Sequence, residues 1–123
     1  LERSGYRTDD RLKEIHFGHW QGHYWPEVPS VDPEGHAART ADPFNWRPEG
    51  GESYADLTKR CAAWFDQLEH DTVCVSHGGV SRVLRGHVGN HEPDAITELP
   101  VPQDRVLVFR HGPSGIKAEW VDS

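Results

Sequence analysis

The chain has no methionine, only two cysteines, and no block of lysine or arginine. Each shortage excludes something. Cys61 and Cys74 fit no metal-ligand spacing, so a thiolate metal centre is not expected; they read as two buried, reduced thiols. Reduced thiols point to a reducing, cytoplasmic setting. With 13 basic and 20 acidic residues the net charge is -7. That balance argues against nucleic acid or an anionic membrane as a partner. No apolar run is long enough to span a bilayer. Leu1-Glu2-Arg3-Ser4 is no signal peptide. There is no internal repeat and no low-complexity tract.

What is present fits one small domain over residues 1–123. Apolar residues make up only 35%, but five Trp and four Phe carry large buried areas. Tyr54, Leu57, Cys61, Trp64, Phe65 and Leu68 recur at three- and four-residue spacing. They predict a helix over 53–69, with Ser53 as N-cap and Asp56 as its capping-box partner. Val73 to Ser76 reads as a strand. A helix follows from about Gly79 to His87, with Val80, Val83 and Leu84 on its buried side. Residues 104–110 and 116–121 read as an antiparallel hairpin. The order of elements predicts an α/β fold. Residues 23–51 hold most of the prolines. They read as a lid or binding loop with a short helix near 34–40.

The segment Val-Cys-Val-Ser-His-Gly-Gly-Val, residues 73–80, carries the chemistry most plainly. A strand that ends at His77 and turns through two glycines into a helix sets an imidazole at the carboxyl edge of a sheet. Ligands bind there in open α/β folds. The helix N-terminus beside it favours anions, phosphate above all. A histidine can bind phosphoryl oxygens as a cation or act as an acid/base. Glu14 lies among Leu12, Ile15, Phe17 and Trp20, surroundings that suit a general acid; residue type alone also allows a surface glutamate. His16, His19 and His23 could bind a transition metal, but Gly18 and Gly22 interrupt any helix that would align them, and no metal site is expected. Arg60 reads as structural. Arg82 reads equally as a packing or a substrate-contacting residue. Arg110-His111-Gly112 reads as part of a turn.

Three motifs in order resemble the histidine phosphatase superfamily, in its phosphoglycerate mutase-like branch. They are LKEIHFGHWQG (12–22), the Gly-Glu-Ser…Arg segment within PEGGESYADLTKR (48–60), and VCVSHGGVSRVLRG (73–86). The resemblance implies a three-layer α/β/α sandwich with a mostly parallel sheet. It implies phosphoryl transfer through a phosphohistidine, with no metal or organic cofactor. Glu14 matches the acid/base, and His77 the second histidine that contacts the phosphoryl group. Gly78 matches the residue whose N–H helps hold it, and Ser76 and Arg82 join it as phosphate-binding candidates. The family's nucleophile lies in an Arg-His-Gly motif on a first strand, which does not precede residue 1. The expectation is therefore the C-terminal two-thirds of a phosphomonoester phosphatase, inactive by itself. Its partner would be a small phosphorylated metabolite, and a homodimer is possible through an open sheet edge. The alternatives are an inactive phosphate- or partner-binding module and a phosphoglycerate mutase. The 23–51 segment offers few basic residues to hold a second phosphate, which favours the phosphatase.

Overall fold

The computed structural model describes residues 5–123. Three 3-10 turns come first, at Asp10–Leu12, Gly18–Trp20 and Trp25–Glu27. Five helices follow: α1 (Val28–Val31), α2 (Pro33–Ala41), α3 (Tyr54–Asp66), α4 (Gly78–Val88) and α5 (Pro93–Ile96). The chain then closes with strands β1 (Arg105–Gly112) and β2 (Gly115–Asp122).

The core lies where α3 packs on α4. The α3 stripe buries Tyr54, Leu57, Cys61, Trp64 and Phe65 against Val80, Val83 and Leu84 of α4. Leu57 and Val83 are sealed from solvent, and each such side chain stabilises the fold by roughly 1.5–3 kcal/mol. Ser53 and Asp56 form the expected capping box: Ser53 Oγ accepts from Asp56 N at 3.0 Å, and Asp56 Oδ2 from Ser53 N at 2.9 Å. The helix stops at Asp66, so Leu68 falls beyond it and is partly exposed. Gly89 caps α4.

The hairpin is antiparallel, with Arg105 opposite Asp122 and Gly112 opposite Gly115. His111 and Gly112 belong to the ladder, which leaves a shorter turn than the sequence suggested. Phe109 rests on Phe65 with ring centroids 5.2 Å apart, which ties the hairpin to the core. A second aromatic cluster joins Trp20 to Trp46 at 4.5 Å and Phe17 to Trp25 at 4.9 Å.

Two expectations are corrected. Residues 73–76 form no strand, because none of the described residues offers a ladder partner; the two-stranded hairpin is the one sheet among them. The segment runs without regular structure and leaves Val73 88% and Val75 73% exposed. Cys74 goes with it: it is exposed, while Cys61 is buried. The parallel part of the expected sandwich therefore has no ladder among these residues. Helices packed on one another and on a hairpin make up the α/β character seen here.

Candidate functional site

Glu14 sits where three segments meet. The turn at Asp10–Leu12 delivers it, and Ser76 Oγ donates to Leu12 O at 2.6 Å from the far side. Arg60 holds it from below: the guanidinium donates to Arg11 O at 2.7 Å and to Glu14 O at 3.2 Å. Arg60 also makes a two-pronged pair with Glu52, at 2.8 and 2.9 Å. This charge-assisted fork holds the Glu52 carboxyl below its ordinary range. Arg60 is thus structural, as expected, and it fixes the backbone that carries Glu14.

Glycines set the approach of the neighbouring loop. Gly18 has φ +55°, and a Cβ there would collide with Gly51 N and the Glu49 carbonyl. A Cβ on Gly51 would meet His16 O and Gly18 N, each at 2.6 Å. Only bare backbone lets these two segments touch. Their contact yields His19 N donating to Glu49 O at 2.9 Å and Glu52 N to His16 O at 2.8 Å.

The carboxylate of Glu14 meets the start of α4. Its Oε1 accepts from Ile15 N at 3.0 Å and its Oε2 from Gly79 N at 3.2 Å. His77 is the N-cap of α4 in extended conformation and makes no side-chain capping bond. A helix N-terminus carries partial positive charge, and here its Gly79 amide already donates to Glu14. A cavity of about 360 Å³ opens here, lined by Glu14, Gly79, Arg82, Tyr54, Trp25 and Arg39, with Ile15, Phe17 and Thr97 between them. Arg82, one of its lining residues, donates to Leu99 O at 2.8 Å and to the Tyr54 hydroxyl at 3.3 Å.

The expected site residues divide. Glu14 and Arg82 line the cavity. Gly78 and His77 stand at the helix end beside it, and His77 is exposed. Ser76 is committed to Leu12 O. The three clustered histidines do not converge. His19 Nε2 lies 2.8 Å from Asp32 Oδ2, His23 Nδ1 lies 3.2 Å from Glu27, and His16 Nδ1 accepts from Gly18 N. No group of three or more metal-ligating side chains occurs among the described residues. His111 is stacked on Phe65, with centroids 6.5 Å apart, and does not line the cavity. Tyr54, Trp25 and Arg39 were not anticipated. Tyr54 looked like the first core residue of its helix. Arg39 comes from the segment with few cations; α2, near the helix expected at 34–40, carries it to the cavity wall.

A family model described as the histidine phosphatase superfamily (branch 1) matches residues 2–122. The glucosyl-3-phosphoglycerate phosphatase of Mycolicibacterium vanbaalenii is 33% identical over 98% of this chain and 53% of its own length. Human 6-phosphofructo-2-kinase/fructose-2,6-bisphosphatase 1 is 29% identical over 94% of this chain and 25% of its own. Among solved structures, a mycobacterial glucosyl-3-phosphoglycerate phosphatase in complex with inorganic phosphate superposes with a TM-score of 0.69. It is 25% identical, over 94% of this chain and 62% of that one. The chain thus spans about half the length of the mycobacterial relative it matches in sequence.

Proposed function

The chain belongs to the histidine phosphatase superfamily (branch 1), and from that premise we propose that it forms the acid/base half of a phosphomonoester phosphatase site. The observation that carries this reading is the meeting of Glu14 with the N-terminus of α4 at one cavity. In this reading the phosphoryl group of a small metabolite lies against the α4 end. The N–H of Gly78 and the imidazole of His77 hold it, and Arg82, which lines the cavity, balances its charge. Ser76 supports the site through Leu12 rather than by touching phosphate. Glu14 protonates the leaving oxygen and then draws a proton from the attacking water. Phosphoryl transfer asks mainly for positioning and charge stabilisation, which these groups supply. His111 is turned to Phe65 and away from the cavity, so it is not placed to be the nucleophile of the phosphohistidine step.

Free Cys61 and Cys74 fit a reducing, cytoplasmic compartment. None of the described helices is long and apolar enough to cross a membrane. The open backbone at 73–76 is the natural place for a homodimer contact.

The test is turnover of a phosphomonoester by the full gene product. Glu14→Gln should lower kcat by roughly 10²–10⁴-fold, the usual contribution of a positioned acid/base. His77→Ala should lower kcat/KM by a similar order. Turnover within threefold of wild type in either variant removes that residue from the mechanism.

A further inference from the structure

The first turn of α4 starts on two glycines, which leave the backbone loose, and His77 before them adds no side-chain cap. Two outside contacts meet these glycines one by one. Glu14 Oε2 accepts from Gly79 N at 3.2 Å. Val101 lies over Gly78: a Cβ there would stand 3.5 Å from Val101 Cγ2 and 3.7 Å from Cγ1. The first contact comes from the acid/base. The second comes from residues 99–102, none of which lines the cavity.

That segment is built as a strap. Pro100 and Pro102 flank Val101. Each proline fixes its own φ and presses the residue before it into an extended conformation. The strap is tied along one face of α4. Gly78, Arg82, Arg85 and Gly86 follow one another at i, i+4, i+7 and i+8, so they share that face. Arg82 Nε donates to Leu99 O at 2.8 Å, and Arg85 Nη1 donates to Pro100 O at 3.3 Å. Further along, Gly86 has no side chain in the way of Ile96, which is buried against the helix there. Arg82 also lines the cavity, whereas Arg85 does not.

We propose that Arg85 is a positioning residue and Val101 the cover that it positions. The strap closes the Gly78 side of the α4 end, so a phosphoryl group meets that turn from the Glu14 side with water kept out behind it. Hydrogen bonds to an anion are stronger where water is excluded. A turn held on both sides also loses less freedom when the anion binds. The inference rests on the reading that the phosphoryl group lies against α4.

Inhibition by orthovanadate tests it, with the full gene product turning over p-nitrophenyl phosphate. Vanadate takes the shape of a phosphoryl group in transfer, so it reports on contacts made in the transition state. Arg85→Gln should raise its inhibition constant about fivefold, the effect of losing one net hydrogen bond. Val101→Ala leaves the clamp in place and thins the cover, and should raise the constant by a similar factor. The double variant should do little worse than either single one, because both act through one strap. Arg85→Lys keeps a donor and should recover most of the loss. Lys117→Gln, the same charge change on the exposed face of β2, should have no effect. An Arg85→Gln or Val101→Ala variant, folded by circular dichroism, that keeps the wild-type constant overturns the inference and leaves Glu14 and His77 in their roles. So does a double variant whose two effects multiply. If vanadate does not inhibit the wild-type protein, the phosphate site itself fails, and the role of the strap fails with it.

Discussion

A methyl group at Gly79 would fall on Glu14 Oε1, while one at Gly78 would meet Val101 at an ordinary 3.5 Å. Two adjacent glycines of the same helix turn therefore have different reasons to be glycine. At Gly79 the carboxylate needs the space. Gly79→Ala must push Glu14 off the amide of residue 79, and overpacking of this kind costs typically about 1–3 kcal/mol. Gly78→Ala loses no such contact, and at the first position of α4, next to the His77 cap, it is close to neutral. Urea unfolding of the two variants separates these cases: the midpoint should fall for Gly79→Ala and hold for Gly78→Ala. Equal midpoints would show that Glu14 does not stand against α4 in solution. The same reasoning explains what was legible at this scale. Glu14 and the Gly-Gly turn could be picked out by residue type and order. The steric dependence of one on the other could not, because it joins positions 65 residues apart.

Among the elements, α2 is held to the rest by a single polar clasp. Asp32, its N-cap, accepts from Gly35 N at 3.0 Å, from Trp20 Nε1 at 2.9 Å and faces His19 Nε2 at 2.8 Å. His19 first, then Trp20 and Gly35, hold the Asp32 carboxyl down to about 2. Asp32 in turn raises the pKa of His19 above the ordinary 6.5. The signs follow from linkage. A depressed carboxyl stabilises the fold above its unfolded value of 3.8, and that help is lost as pH falls toward 2. A raised imidazole stabilises below 6.5, and its help is lost as pH climbs through the folded value. The clasp is therefore strongest between roughly pH 4 and 6.5. The Tm of the wild-type chain should exceed that of His19→Gln at pH 5–6, and the gap should shrink by pH 8–9. A gap that is flat or widens with pH would show that His19 does not pair with Asp32. Helix α2 itself could be anticipated from its residues, and so could α3, α4 and the hairpin, whose periodicity and caps are local. The clasp could not: Gly18 and Gly22 already spoke against three aligned histidines, but only the fold shows each of them turned to a different neighbour.

For the whole molecule, exposed area is the informative quantity. The chain shows 8772 Å² to solvent, whereas a compact monomer of 13.9 kDa shows roughly 6,700 Å². The excess is not spread evenly. Residues 71–77 run without regular structure, and no backbone hydrogen bond among the described residues holds residues 71–76. Val73 and Val75 there are largely bare. The β-branched run that so clearly announced a strand was a correct statement of preference. A strand is realised only through a neighbour, and sequence pattern says nothing about whether that neighbour is present. Hydrogen exchange read by mass spectrometry puts this to the test. Stability within a fold is uneven, and amides without partners exchange near their intrinsic rate. Peptides covering 71–76 should therefore label within seconds, as open chain does, while those from the buried faces of α3 and α4 label slowest. Slow labelling at 71–76 would mean that another strand pairs there in solution. Light scattering on the same sample then decides what supplies it. A mass of twice 13.9 kDa would make it a second copy joined edge to edge, and a monomer mass would mean that the chain folds back on its own edge.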